Sequence, residues 1–286
     1  MGGQYNATAL LNATELLDPS SGTFASTGST QISLSAHTAT LLGTSATSKL
    51  LIAGGQTGTD GNATPTAELY DPTAATFSAT TGNLQTARFD HTATLRNNGK
   101  VLLTGGIDAT AAALASAELF DPVSGAFSAT GSMQTARVGH TATLLPNGML
   151  LVTGGALANT KVLSSAELYN PATGAFTTVI GVMTVTRIGH TATLLSNGKV
   201  LLAGGADEIG KARNTAEIFD PSNSSFIATT NMVSAHASHT ATLLNDHTGL
   251  LGGGVDATGA ATSVAEIFDS VAGSFAATGS LVVARE

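Results

Sequence analysis

Arg187-Ile-Gly-His-Thr-Ala-Thr-Leu-Leu195, then Ser196-Asn197-Gly198, then Lys199-Val-Leu-Leu-Ala-Gly-Gly205, is the stretch that decides the fold. The first segment is short and rich in β-formers and small residues, which suits a strand. Asn197-Gly198 is the strongest two-residue hairpin signal, since both positions accept positive φ, and Asn98-Gly99 and Asn147-Gly148 repeat it. The returning segment is apolar with little alternation, as expected of a strand covered on both faces. Its closing glycines permit close backbone approach or a sharp exit. After a variable loop, Ala216-Glu-Ile-Phe-Asp220 reads as a third strand. Asp220-Pro221 starts a turn by side-chain bonding and a fixed φ. A fourth strand begins at Phe226 and runs into Met232.

This unit of about fifty residues recurs about six times. His-Thr-Ala-Thr-Leu opens at His37, His91, His140, His190 and His239. Gly-Gly recurs at 2–3, 54–55, 105–106, 154–155, 204–205 and 253–254, and a glutamate at Glu15, Glu68, Glu118, Glu167, Glu217 and Glu266. Four antiparallel strands per repeat, with no helical stretch between repeats, predict an all-β propeller. The expectation is six blades, five of them four-stranded and one incomplete.

The Gly-Gly pair, the Ala-Glu-Leu-Tyr-Asp-Pro segment at 67–72, the aromatic five residues on, and the Arg before the next strand together resemble kelch repeats. The nearest subtype is the bacterial form with Arg-x-Gly-His-Thr-Ala-Thr-Leu-Leu, seen at 137–145 and 187–195. The resemblance covers essentially the whole chain. It is specific for fold and weak for function, since this fold hosts many functions. There are departures. Trp, usual in the family's fourth strand, is replaced by Phe24, Phe77, Phe127, Phe176, Phe226 and Phe275. Arg88, Arg137, Arg187 and Arg285 recur, but Leu34 and His236 stand in that place elsewhere. Asp246-His247 replaces Asn-Gly, which predicts a distorted or longer hairpin there.

Strand arithmetic along 1–286 gives five first-and-second-strand hairpins and six third-and-fourth-strand hairpins. The expectation is a single propeller belonging to a longer chain. Its incomplete blade would hold Glu15 and Phe24, at a seam between 1–30 and 281–286.

Composition narrows function by exclusion. Net charge is −8 with no basic cluster, which argues against a nucleic-acid backbone as partner. Only 10% of residues are charged, so Thr, Ser, Asn and Gly solvate the surface. Cysteine is absent, which removes disulfides, thiolate metal sites and cysteine nucleophiles. No apolar run approaches the ~20 residues of a membrane-spanning helix.

The repeated residues are read as structural. Five equivalent histidines are what a shared packing role predicts. As metal ligands they would have to approach within about 2.0–2.1 Å of one ion, from strands held too far apart. The six glutamates need partners if buried, and the recurring arginines supply them. The family's galactose-oxidase type needs a Cys–Tyr crosslink and Tyr/His copper ligands. With no Cys, and with Tyr70 and Tyr169 in the repeated strand position, that activity is not carried over. Neither a sialidase arginine cluster nor a Gly-x-Ser-x-Gly elbow is present. No catalytic, cofactor or metal residue is assigned.

Function is sought where repeats differ. The loops after Gly-Gly vary most, at 4–13, 56–66, 107–116, 156–165, 206–215 and 255–264. Asp108, Asp207 and Asp256 share one offset in them, and Asp207-Glu-Ile-Gly-Lys-Ala-Arg213 is the most charged. The candidate partner-binding residues are therefore Tyr5, Asp108, Asp207, Glu208, Lys211, Arg213 and Asp256. The leading expectation is a monomeric, non-catalytic module that presents a loop face to a protein or polysaccharide. Two alternatives stay open: an enzyme scaffold with catalytic groups on variable loops or outside this chain, and a structural array of a surface protein. The composition resembles bacterial exported propellers, which favours an extracellular or cell-surface place.

Overall fold

A computed structural model describes residues 3–6, 9–58, 62–157 and 161–285, and every assigned element in them is a β-strand. The side chains of residues 1–9 lie outside the described part, as do Gly2 and Glu286. The chain divides into two compact units, 1–132 and 133–286.

The second unit contains three four-stranded antiparallel sheets, each in simple sequence order. Their strands are Thr141–Leu144, Leu150–Thr153, Ala166–Asn170 and Ala175–Thr178; then Thr191–Leu194, Val200–Ala203, Ala216–Asp220 and Ser225–Ala228; then Thr240–Leu243, Gly249–Gly252, Ala265–Asp269 and Ser274–Ala277. The first unit contains two such sheets. They are built from Thr38–Leu41, Leu50–Ala53, Ala67–Asp71 and Thr76–Ala79, and from Thr92–Leu95, Val101–Thr104, Ala117–Asp121 and Ala126–Ala129. It also holds a two-stranded sheet of Glu15–Asp18 with Thr23–Ser26. The fourth strands are shorter than the sequence predicts, ending at Ala228 rather than reaching Met232.

The double-sided second strand is the organising feature. Val200 and Leu202 pack with Phe219 against Leu145, Leu151 and Ala166 of the preceding sheet. Leu201 and Ala203 point the other way, against Leu251 and Phe268 of the following one. The period-2 pleat thus sends alternate apolar residues into two interfaces. The first unit repeats this, with Leu51 and Ala53 against Val101, Leu103 and Phe120. On the third strand the alternating aromatic meets the fourth-strand Phe at 4.8–4.9 Å between ring centroids: Tyr70–Phe77, Phe120–Phe127, Tyr169–Phe176, Phe219–Phe226 and Phe268–Phe275. In the two-stranded sheet Phe24 faces Leu17 instead and is 66% exposed.

The hairpins correct two expectations. At Asn197-Gly198 only the glycine is left-handed, with φ 79°. The Leu195 amide donates to the Lys199 carbonyl at 2.8 Å and the Gly198 amide to the Leu195 carbonyl at 3.0 Å. This is a three-residue loop, a tight turn closed by one left-handed residue, not a two-residue loop with two. At Asp246-His247 the same bonds recur, from Leu244 to Thr248 at 2.8 Å and from His247 to Leu244 at 3.0 Å. The loop is neither longer nor distorted. His247 takes the left-handed place at φ 68°, and Asp246 Oδ1 accepts the Thr248 amide and hydroxyl at 3.0 and 2.7 Å.

Candidate functional site

The polar residues fall into two sets: buried latches between consecutive repeats, and the variable loops.

The latches use most of the repeated polar residues. Between each fourth strand and the next first strand the chain crosses to the following sheet, and the next sheet's glutamate holds the crossing segment. Glu167 Oε2 accepts the Gln134 amide at 2.7 Å, and its Oε1 accepts the Thr135 amide and Arg137 Nη2, both at 3.1 Å. Glu118 does the same with Gln85, Thr86 and Arg88, and Glu217 with Thr184 and Arg187. Each arginine also donates through Nη1 to two carbonyls, those of Gly204 and Thr215 for Arg187 (2.7 Å each). These side chains are buried, so their desolvation is offset by these Nη bonds, the Nε of each arginine having no partner among the described residues.

The exceptions follow the sequence. Leu34 stands where arginine would pair with Glu68, and the Gln31 amide reaches both carboxylate oxygens, at 3.1 Å. Burial accordingly pushes the Glu68 carboxyl above its ordinary value. His236 replaces arginine opposite Glu266. Glu15 is exposed: its two-stranded sheet has no second strand beside it, whereas Glu217 pairs with Leu202 of the second strand. Arg285 keeps only the backbone part of the pattern, accepting the Gly254 amide at 2.8 Å while its side chain is exposed.

The histidines form a second latch. His190 Nε2 lies 3.1 Å from Thr141 Oγ1 and 2.9 Å from Thr153 Oγ1 of the preceding repeat. His91 meets Thr38 at 3.0 Å and His239 meets Thr191 at 2.9 Å. His140 is buried and His37 half-buried. The Gly-Gly pairs make room for these rings. A Cβ on Gly154 would stand 2.7 Å from His190 Cε1 and 2.5 Å from the Arg187 carbonyl; one on Gly155 would stand 2.9 Å from His140 Cβ. The residue before each motif histidine is left-handed: Ala36, Asp90, Gly139, Gly189 and Ser238, with φ between 51° and 62°. The sequence gives no sign of this where the residue is not glycine. Backbone bonds from Ser238 to Gly189 (2.7 Å) and from Gly189 to Gly139 (3.1 Å) tie these positions together. Among the described residues no cluster of three His, Asp or Glu side chains is placed to hold a metal.

Burial holds the imidazoles of His190 and His239 neutral, down to about 3. In the unfolded chain they titrate near the ordinary value of about 6.5. Below that value the unfolded chain binds protons that the folded one refuses, so stability falls as pH drops. The expected result is a melting temperature that declines from about pH 6.5 towards 4, with a shallower decline in H190Q. A thermal-melt series in which H190Q and the parent run parallel would contradict it.

The candidate aspartates prove to be loop holders. Asp207 Oδ1 accepts the amides of Ile209 at 3.1 Å and Lys211 at 2.9 Å. Asp108 does so with Thr110 and Ala112, and Asp256 with Thr258 and Ala260. In each loop the third residue on is left-handed: Ala111, Gly210 and Gly259. Hydrogen bonds from the Thr110 and Thr258 hydroxyls keep the Asp108 and Asp256 carboxyls below their ordinary value. Asp207 Oδ2 also binds Arg213 Nη2 at 2.7 Å. Beside them Glu208 and Lys211 are exposed, and Ile209 is 85% exposed, an apolar side chain at a loop tip that charge-based reasoning passed over. Thr186, Asp207, Glu208, Ile209 and Arg213 line a shallow cavity of about 240 Å³. The Tyr5 side chain lies outside the described residues, as do residues 7–8, 59–61 and 158–160 of the variable loops.

No curated protein sequence matches the chain. A family model described as the KLHDC2/KLHL20/DRC7 Kelch-repeats domain matches residues 36–253. That span takes in all five His-Thr-Ala-Thr-Leu segments and the latches between them. The chain belongs to the kelch-repeat family.

Proposed function

We propose that this protein is a non-catalytic binding module whose loop 206–215 contacts a protein partner. The observation that carries this reading is the division of labour among polar residues. Apart from Glu15, His37 and Arg285, the repeated His, Glu and Arg side chains are buried between repeats, whereas Glu208, Ile209 and Lys211 project from a loop that Asp207 already holds. An exposed apolar side chain flanked by both charge signs on a fixed loop has the makings of an interface anchor with a polar rim. The 240 Å³ cavity beside it gives a partner side chain somewhere to insert. A polysaccharide is the weaker choice, because no aromatic side chain lines that cavity.

The test is the double variant I209D/K211E. Neither side chain belongs to the latches, so its melting temperature is expected to stay with the parent, within about 0.5 kcal/mol of stability. Quantitative crosslinking in the native host is expected to lose the partners that the parent captures through this loop. An identical partner set for parent and variant would refute the assignment.

A further inference from the structure

His236 is fully buried, and both ring nitrogens face acceptors. Nδ1 lies 2.8 Å from the Gly253 carbonyl oxygen and Nε2 lies 3.3 Å from Glu266 Oε1. A neutral imidazole has one N–H and serves only one of them; the imidazolium serves both. Glu266 is itself fixed as a carboxylate, since it also accepts the Val233 and Ser234 amides at 2.7 Å each. Its partner is therefore a removable charge in the place where Arg88, Arg137 and Arg187 carry permanent ones.

His236 is also where two variable loops meet. Its amide donates to the Arg213 carbonyl at 3.1 Å, and its carbonyl accepts the Gly205 amide at 2.8 Å. The next residue, Ala237, exchanges two backbone bonds with Val255 at 3.0 and 2.9 Å. The loops 206–215 and 255–264 are thus both anchored on 236–237.

We propose that the His236–Glu266 pair is a pH-sensitive joint between these two loops, closed as imidazolium and carboxylate and loosened when His236 loses its proton. Either neutral tautomer turns a lone pair towards a carbonyl or a carboxylate, in a site without water's screening. The surrounding titratable groups do not substitute for that charge. The His239 ring, 5.6 Å away between centroids, is neutral; the Arg213 guanidinium is bound to Asp207; the Arg285 side chain is exposed. Burial lowers the His236 pKa, but the bonds to Glu266 and Gly253 and the Glu266 charge outweigh it and raise the value overall. The charged form is favoured by folding, so its stabilisation is whole below the ordinary imidazole value and is lost as pH rises through the raised one. The joint opens on the alkaline side.

The inference concerns the loops that the binding reading uses, but its test needs no partner, so the two can fail separately. Imidazole nitrogen shifts of the full chain from pH 5 to 9 are expected to show His236 doubly protonated at pH 6, with a midpoint above that of free histidine. Amide protection at Ala237 and Val255, corrected for intrinsic exchange, is expected to drop across that midpoint. The drop is about tenfold for each pH unit separating the midpoint from the free value. H236R restores the arginine of the other latches and is expected to abolish the step. H236Q is expected to show low, pH-independent protection. A midpoint at or below that of free histidine, or an unchanged step in H236R, would overturn the proposal.

Discussion

R187M is expected to destabilise this protein by about 3–5 kcal/mol, the usual cost of removing one member of a buried ion pair. The Arg187 and Glu217 side chains are both fully buried and their charged atoms are 3.0 Å apart. Methionine fills much of the volume but leaves Glu217 with the Thr184 amide and no counter-charge. It also strands the Gly204 carbonyl, which Arg187 serves at 2.7 Å, while the Thr215 carbonyl keeps the Gly204 amide at 3.1 Å. Adding E217Q removes the charge while keeping an acceptor for Thr184. The double variant should therefore recover more than about 1 kcal/mol of the loss. Denaturant titrations of parent, single and double variants measure this directly. A single variant within about 1 kcal/mol of the parent would mean that water or a shift of the crossing segment solvates Glu217.

G154A is the second large effect. A left-handed backbone costs an L-residue about 1–2 kcal/mol, and Gly154 sits at φ 60°. Its added methyl would also meet the Arg187 carbonyl at 2.5 Å and His190 Cε1 at 2.7 Å, so the neighbouring repeat must move. Overpacking of that kind costs about 1–3 kcal/mol more. G99A is the matched control: φ is 80°, but nothing lies within 4 Å of the new Cβ. It should lose only the backbone part. Equal melting temperatures for the two variants would show that the glycine pair is kept for conformation alone.

The fold was legible because its signals are local and repeated. The pleat at Val200–Ala203, with alternate residues in two interfaces, appears in sequence as an unbroken apolar run. Asp220-Pro221 announces its turn by side-chain chemistry, and the Ser222 amide does donate to Asp220 Oδ1 at 2.9 Å. Less could be read where a conformation depends on distant partners. Ala36, Asp90 and Ser238 are left-handed because the neighbouring repeat fixes their backbone, and no residue type announces it. His247 occupies a glycine's conformation for a local reason that its residue type did not announce: the hairpin bonds of 244–248 close around it. For the proposed site, the variable loops after Gly-Gly were legible in the sequence, but the roles of their residues were not. Asp207 stood out by its charge and its recurrence, yet its carboxylate serves the loop itself, while Ile209 carried no signal that a charge count could detect.

The aspartate-held loops have an evolutionary consequence. In 207–211 the frame rests on one carboxylate, one left-handed residue and backbone bonds between Asp207 and Lys211. None of these depends on the side chains at 208 and 209. On the binding reading proposed above, those two positions can change by point substitution at little cost to stability. The loops at Asp108 and Asp256 share the backbone frame but add the Thr110 and Thr258 hydroxyls to it, so there the position matching Ile209 is tied to the aspartate and only the residue before it is unconstrained.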